Sequence, residues 1–115
     1  MITNKPNILV VCSRNRKRSR TAENVFKNDS RFNIRSVGLR EKSERKISES
    51  DLLWSDLIFV MEDGQKTRIK GLYRHLDLSP IEILGIDDDY EYLDNELIDL
   101  IKEGINNTLR IVYKI

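Results

Sequence analysis

Two runs of consecutive apolar residues interrupt an otherwise polar chain, at positions 8–11 and 57–61. Both are short and rich in β-branched or aromatic side chains, which is typical of strands covered on both faces of a sheet. Less regular apolar runs at 34–37 and 81–86 predict two further strands. The pattern therefore predicts four strands, of which the first ends near Cys12.

Between and after these runs, apolar residues recur every three or four positions, which is the spacing of an amphipathic helix. This spacing predicts one helix that begins near 18 or 19, one over 65–73, and one from 94 onward. A short helix is predicted over 48–55, where Ser48 can cap the first turn with Asp51 three residues later. The basic segment 39–47 is predicted to be a solvated loop, and 85–94 an acidic loop. The apolar face of the last helix is predicted to carry Leu97, Ile98, Ile101, Ile105, Leu109 and Val112.

Strands that alternate with helices predict an α/β fold with three layers, in which an open sheet of about four parallel strands has helices on both faces. A length of 115 residues fits a single domain over residues 1–115. In sheets of this kind, ligands bind at the carboxyl ends of the strands. Cys12 and the acidic loop would both lie at that edge.

The composition limits the partners and the location of the protein. The formal net charge is +1, so the overall charge of the chain does not indicate a polyanionic partner. Cys12 is the one cysteine of the chain, which excludes an internal disulfide and fits a reducing compartment. The sequence has no long apolar run and no layout of a secretion signal. We therefore expect a cytoplasmic monomer without a membrane partner.

The segment VCSRNRKRSRTAE at 11–23 joins the cysteine to a basic run, between the first strand and the first helix. A loop of this kind can turn backbone N–H groups inward around an oxyanion, and the helix N-terminus adds positive potential. Arg18 can bind two phosphate oxygens with its planar guanidinium, and the same field favours the thiolate of Cys12. Ser19 can donate a hydrogen bond to that thiolate. Together these residues predict a nucleophile aimed at a bound phosphoryl group.

Two other interpretations of this segment stay open. A cysteine at the end of an apolar strand is commonly a small buried hydrophobe. The basic loop 14–20 could instead bind nucleic acid. Against that partner, the rest of the chain has no basic stripe with interleaved aromatic residues, and the net charge is near zero.

The same segment resembles the signature of the low-molecular-weight protein tyrosine phosphatases, V-C-x-x-N-x-x-R-S-x-x-A-E. The likeness continues, in the family's order, at S-V-G (36–38), S-D-L-I-F-V-M (55–61) and I-D-D-D-Y (86–90). The chain is most similar to a short subgroup of predicted phosphatases with D-D-Y in the acid loop. The resemblance thus touches most of the chain and implies the phosphatase fold.

The resemblance also implies a role for each matched residue of the phosphate loop. Cys12 would attack phosphorus and form a cysteinyl-phosphate, while Arg18 and the backbone N–H groups of the loop would bind the phosphoryl oxygens. Ser19 would stabilise the departing thiolate, and Asn15 would shape the loop with support from Ser36. The substrate-binding positions of the loop would be Ser13, Arg14, Asn15, Arg16 and Lys17.

In the acid loop, the alignment with the family places the general acid at Asp88, which would protonate the leaving phenolate and then activate water. Asp87 and Asp89 remain alternatives, because three carboxylates stand side by side. Tyr90 would line the pocket and stack on an aromatic leaving group.

The chain departs from the family's pattern at Arg14, Arg16, Lys17 and Arg20, and Asp89 replaces the proline after the acid. Arg14 stands where glycine is common, so an unusual backbone angle is predicted there. Lys17 replaces a second cysteine, so an oxidised Cys12 would lack a disulfide partner in the loop. Arg16 stands where phosphoarginine phosphatases resemble one another in carrying threonine, which makes phosphoarginine a less favoured substrate.

The sequence therefore predicts a phosphomonoesterase that uses neither a metal nor a cofactor and acts through a cysteinyl-phosphate. Its predicted partners are a phosphotyrosine-containing protein or a small phosphomonoester, and phosphate, sulfate or vanadate are predicted pocket ligands. The alternative is a phosphate-binding or nucleic-acid-binding module that uses the basic loop 14–20 and has lost turnover.

Overall fold

The computed structural model describes residues 5–115, in which strands and helices alternate along the chain. The strands are β1 (Asn7–Cys12), β2 (Asn33–Gly38), β3 (Leu57–Val60) and β4 (Ile81–Ile83). The helices are α1 (Arg18–Phe26), α2 (Glu49–Trp54), α3 (Asp63–Leu72) and α4 (Asn95–Tyr113). The predicted α/β class and the predicted number of parallel strands are confirmed.

The four strands form one parallel sheet in the order β2-β1-β3-β4. In the register, Val11 of β1 pairs with Val37 on one side and with Val60 on the other. From β1 the chain thus passes to β2 at one edge of the sheet, and it then crosses to the opposite side of β1 to form β3. This change of direction places a switch point at the carboxyl ends of β1 and β3, where ligands bind in open α/β sheets.

The two faces of the sheet are covered by different helices, and alternate side chains of β1 contact the helices of opposite faces. Its alternate residues Ile8 and Val10 pack in a cluster with α1 and α4, whereas Leu9 and Val11 pack in a cluster with α2 and α3. All four side chains are fully buried. Complete burial of one such side chain stabilises the fold by about 1.5–3 kcal/mol, so β1 stabilises the packing of the helices on both faces.

The end of β4 and the start of α3 differ from their predicted positions. β4 ends at Ile83 instead of 86, since Gly85 turns the chain with a positive φ of 69°. α3 begins at Asp63 instead of 65, because the side chain of Gln65 folds back and accepts from the backbone N–H groups of Met61 and Glu62. The predicted cap of α2 is confirmed, with Ser48 and the N3 residue bonded to each other reciprocally.

Helix α4 follows its predicted amphipathic pattern except at Ile98, which is half-buried and outside the core clusters, and at its end. Leu97, Ile101, Ile105 and Leu109 are fully buried, whereas Val112 is 47% exposed. Val112 was predicted to lie on the core face and does not, because the core cluster reaches no further along that side of the last turn. Within residues 5–115, no helix is both long and apolar enough to span a bilayer.

Candidate active site

A cavity of about 340 Å³ opens over the carboxyl end of β1, where the phosphate loop (residues 12–18) leads into α1. Its wall consists of Cys12, Ser13, Arg14, Arg16, Lys17, Arg18, Arg40 and Asp88. Three parts of the chain that are far apart in sequence therefore meet there. The cavity lies at the predicted edge of the sheet.

The Cys12 sulfur is buried, with only 3% of the residue exposed, and two polar groups contact it. The Ser19 hydroxyl lies 2.9 Å from Sγ, and the backbone N–H of Asn15 donates to Sγ over 3.2 Å. These contacts fix the sulfur at the base of the phosphate loop. The interpretation of Cys12 as mere apolar filler does not account for these contacts.

Asn15 holds the turn of the phosphate loop in a left-handed conformation, with φ of 54°. Asparagine adopts this region more readily than most residues because its short polar side chain can bond locally. Its Nδ2 donates to Ser19 Oγ over 2.8 Å. The unusual backbone angle that was predicted at Arg14 therefore falls on the next residue, and a side chain at 14 is accommodated.

Arg18 is 2% exposed, and its guanidinium is fixed by contacts from two other strand ends. Nη1 donates to the Ile86 carbonyl oxygen over 2.8 Å and to Glu62 Oε1 over 2.5 Å. Nε lies 3.6 Å from Asp88 Oδ1. Because Nη1 carries the structural bonds, the edge formed by Nε and Nη2 is left to bind a phosphate with two parallel hydrogen bonds.

Glu62 is a functional candidate that the sequence analysis missed. It directly follows the buried run that contains β3, and β3 is the neighbour of β1 in the sheet. A signal was available, since a carboxylate just after a buried parallel strand lies at the ligand-binding edge. Gln65, three residues further on, also reaches the site, because its Nε2 donates to Ser13 Oγ over 3.3 Å.

Among the three adjacent aspartates, the cavity wall includes Asp88, while Asp87 and Asp89 are exposed outside it. The acidic loop is also attached to α1. The Leu93 N–H donates to the Thr21 hydroxyl over 3.0 Å, and Lys17 lies 3.5 Å from Glu91. The helix that begins at the phosphate loop thus also positions the acidic loop.

Tyr90 is not part of the cavity wall in this structure, contrary to the prediction from resemblance. Its half-buried ring packs against the core cluster of α1 and α4. Partial burial, followed by the negative charges of Glu96, Asp87 and Asp89, raises the pKa of Tyr90. The ring is held toward the core by these contacts, so it does not stack over the cavity.

Ser36 also makes a different contact from the predicted one. Its backbone N–H donates to Glu23 Oε1 over 2.9 Å, and its hydroxyl donates to the same oxygen. Within residues 5–115, no hydrogen bond joins Ser36 to Asn15. An ionised carboxylate is the stronger acceptor, so Ser36 fastens α1 to β2 instead of supporting the loop directly.

The basic segment 39–47 was predicted to be a loop, which in the phosphatase fold can lie near the pocket mouth, and its start is bonded to the phosphate loop. Leu39 N–H donates to the Cys12 carbonyl over 3.0 Å, and Arg40 N–H donates to the Ser13 carbonyl over 2.9 Å. The Glu44 N–H donates to the Arg14 carbonyl over 3.1 Å. This attachment places the Arg40 side chain in the cavity wall.

Comparison with known proteins identifies the fold. No family model and no curated protein matches the sequence. Among solved structures, a low-molecular-weight protein tyrosine phosphatase from Streptococcus pyogenes, SP-PTP, is similar with a TM-score of 0.77 and 20% identity, covering 93% of each chain.

Two further solved structures are similar over nearly their whole length. The arginine phosphatase DARP from Drosophila has a TM-score of 0.73 and 22% identity, covering 94% of this chain and 98% of DARP. Wzb from Vibrio vulnificus, in complex with benzylphosphonate, has a TM-score of 0.74 and 20% identity, covering 95% of this chain and all of Wzb, 100%. The predicted likeness is thus confirmed at the level of the fold.

Proposed function

The chain has the fold of the low-molecular-weight tyrosine phosphatases, and from that premise we propose that it is a cysteine-dependent phosphomonoesterase acting on phosphotyrosine. One observation carries the proposal. The Cys12 sulfur, which accepts the Asn15 N–H, shares a cavity with the Nε–Nη2 edge of the Arg18 guanidinium and with the Asp88 carboxyl group, which lies 3.6 Å from Nε. Nucleophile, anion clamp and acid are thus gathered in one cavity.

In the first step, the Cys12 thiolate attacks phosphorus. The S–P bond forms while the P–O bond to the leaving group breaks, and protonated Asp88 gives its proton to the leaving oxygen. Arg18 and the N–H groups of the phosphate loop hold the three remaining oxygens, on which negative charge spreads in the transition state.

In the second step, water attacks the cysteinyl-phosphate. The Asp88 carboxylate takes the proton from water as the new O–P bond forms and the S–P bond breaks. The Ser19 hydroxyl, 2.9 Å from the sulfur, stabilises the thiolate that leaves. Inorganic phosphate is released, and both Cys12 and Asp88 return to their starting forms.

The competing proposal, a nucleic-acid-binding module, has less support from the contacts of the basic loop 14–20. Arg18 is buried, Arg16 lies 3.9 Å from Glu44, and Arg20 stacks over the Tyr92 ring at 5.2 Å. Each of these side chains is buried or has a partner within the chain, which leaves less of its charge to a nucleic-acid backbone. We further propose a cytoplasmic monomer that binds phosphate, sulfate or vanadate in the cavity.

The proposal is tested by hydrolysis of para-nitrophenyl phosphate between pH 5 and 7.5 in the presence of EDTA. We expect turnover by the parent protein, inhibition by vanadate, no turnover by Cys12→Ser, and a loss of about 10²-fold in kcat for Asp88→Ala. The matched controls are Asp87→Ala and Asp89→Ala, which remove the same charge from exposed neighbours. A large loss in either control with a normal Asp88→Ala would move the acid to that position, and a folded but inactive parent would contradict the proposal.

A further inference from the structure

The cavity wall carries more positive charge than one phosphate requires. Besides Arg18, four basic residues line it, Arg14, Arg16, Lys17 and Arg40, against the one carboxylate of Asp88. Arg16 and Lys17 each lie within 4.0 Å of a carboxylate outside the cavity, those of Glu44 and Glu91. Within residues 5–115, Arg14 and Arg40 have no carboxylate at ion-pair distance, so their charges are available to a ligand.

The two available arginines are held beside each other by the backbone. Arg40 N–H donates to the Ser13 carbonyl, and the Glu44 N–H donates to the Arg14 carbonyl. Gly38 permits this approach, because a Cβ there would lie 2.8 Å from the Arg14 carbonyl carbon and 2.2 Å from Ser43 Oγ. The backbone positions of Arg14 and Arg40 are therefore fixed, and only their side chains need to adapt to a ligand.

The chemistry of the wall also restricts the rest of the substrate. Among residues 5–115, no aromatic side chain lines the wall, and Tyr90 packs toward the core. A volume of about 340 Å³ lies in the range of pockets that hold a whole small ligand, about 300–1,000 Å³, so it exceeds the needs of one phosphoryl group. The part of the cavity that one phosphoryl group would leave empty is thus lined by guanidinium groups and not by aromatic rings.

Resting on the phosphatase function proposed above, we propose that Arg14 and Arg40 form a second anion subsite, which binds a carboxylate or phosphate that the substrate carries next to its scissile phosphate. The preferred substrates are then phosphomonoesters with a second negative group. A phosphotyrosine flanked by acidic residues supplies a carboxylate, and a small bisphosphate supplies a second phosphate. Guanidinium groups bind both with charge-assisted hydrogen bonds.

The first experiment compares two phosphotyrosine peptides that differ only in having glutamate or glutamine on either side of the phosphotyrosine. We expect kcat/KM of the parent to be about tenfold higher for the glutamate peptide, since two charge-assisted contacts distinguish them. Arg40→Gln should reduce this ratio to about threefold or less. Lys42→Gln is the matched control, because it removes the same charge from an exposed position of the same loop, outside the cavity wall.

A second arm identifies the source of the second anion, with 1,3-phenylene bisphosphate compared with phenyl phosphate. A preference for the bisphosphate that Arg40→Gln removes, and that shrinks at high salt, supports a phosphate as the second group. A preference limited to the glutamate peptide supports a carboxylate. Equal kcat/KM within both pairs, or the same loss of preference in Lys42→Gln, would overturn the subsite.

Binding to Cys12→Ser separates this inference from the phosphatase function. The dissociation constants of both peptides for Cys12→Ser, measured by calorimetry, should differ by a similar factor as kcat/KM. Selective binding of the glutamate peptide together with an inactive parent would keep the subsite and contradict the phosphatase. An active parent without selectivity in either measurement would keep the phosphatase and overturn the subsite.

Discussion

The buried guanidinium of Arg18 is held in place by a residue that stands 44 positions away in the sequence. Glu62 accepts from Nη1 over 2.5 Å, and within residues 5–115 it is the one carboxylate within hydrogen-bond distance of the buried guanidinium. A buried cation whose partner is removed keeps its full desolvation cost. Glu62 therefore acts as a positioning residue for the phosphate clamp.

We expect Glu62→Gln to lower kcat by about tenfold while KM changes by less than about threefold. Arg18 keeps its charge and still attracts a dianion, but its Nε–Nη2 edge is no longer held in the geometry that the transition state needs. The measurement is steady-state hydrolysis of an aryl phosphate, with Glu82→Gln on the exposed side of β4 as the control. A large rise in KM with normal kcat would show that Glu62 affects binding and not positioning.

Cys12, Asn15 and Ser19 were predictable as a group because they contact one another within seven positions of the sequence. One turn between a strand and a helix brings them together, so linear spacing contains the geometry. Arg18 follows from the same spacing, but its guanidinium is held by Glu62 and by the Ile86 carbonyl, which are 44 and 68 positions away. Glu62 and Arg40 reach the site through the sheet and through a loop. No short motif encodes such contacts, and only the strand order brings them together.

Among the connecting elements, the segment 39–46 is coupled to the phosphate loop at Gly38, the last residue of β2. A Cβ at Gly38 would approach the backbone of Arg14 to 2.8 Å, which real Cβ atoms do not do without a shift of neighbouring atoms. The side chain of Ser43 could move, but the Arg14 backbone belongs to the phosphate loop. A substitution at 38 is therefore transmitted directly to the site.

We expect Gly38→Ala to destabilise the protein by about 1–3 kcal/mol and to lower kcat/KM by more than tenfold, since overpacking displaces backbone. Gly64→Ala is the matched control, because it lies in α3 with no atom within 4 Å of the new Cβ, and should stabilise by up to about 1 kcal/mol. Urea denaturation and aryl phosphate hydrolysis measure both effects. An active, stable Gly38→Ala would show that the two loops are not coupled.

Elements with a strong apolar pattern were predictable, and those shaped by neighbours were not. β1 and β3 are buried on both faces, so their uninterrupted apolar runs mark them clearly. β4 is shorter than its apolar run because Gly85 turns the chain, even though Leu84 and Ile86 still donate hydrogen bonds toward β3. Tertiary contacts of this kind decide where an element ends.

Across the whole molecule, Arg31 ties the turn after α1 to α4. It bonds bidentately to Asp29, with Nε to Oδ1 at 2.9 Å and Nη2 to Oδ2 at 2.8 Å. Nη2 also donates to Asn106 Oδ1 over 2.7 Å, and Nη1 donates to the Ile115 carbonyl over 3.2 Å. The hydrogen bond from Arg31 lowers the pKa of Asp29, although partial burial acts in the opposite direction.

Since the pKa of Asp29 is lower in the folded than in the unfolded protein, the pair stabilises the fold above about pH 4 and loses its effect as the pH falls further. We expect Asp29→Asn to reduce the free energy of unfolding by about 1–2 kcal/mol at pH 7. The difference from the parent should become small near pH 2.5. Urea denaturation at both pH values checks this, with Asp77→Asn in an exposed loop as the control.

An equal difference at both pH values would contradict the assignment of the effect to the Asp29 carboxylate. A loss in Asp77→Asn as large as that in Asp29→Asn would attribute the change to overall charge. Neither substitution touches the cavity, so hydrolysis of aryl phosphates at pH 7 reports whether the folded fraction stays the same.

The two outer strands of the sheet have a consequence for association between molecules. β4 has three residues, and its Glu82 side chain is exposed, so this border offers few free backbone groups and a charge. At the other edge of the sheet, the segment 39–46 covers the end of β2, because Gly38 pairs with Lys46. Short, charged or covered borders are poor templates for strand addition and aggregation. The segment 39–46, which places Arg40 in the cavity wall, thus also hinders a second molecule from adding a strand to this edge of the sheet.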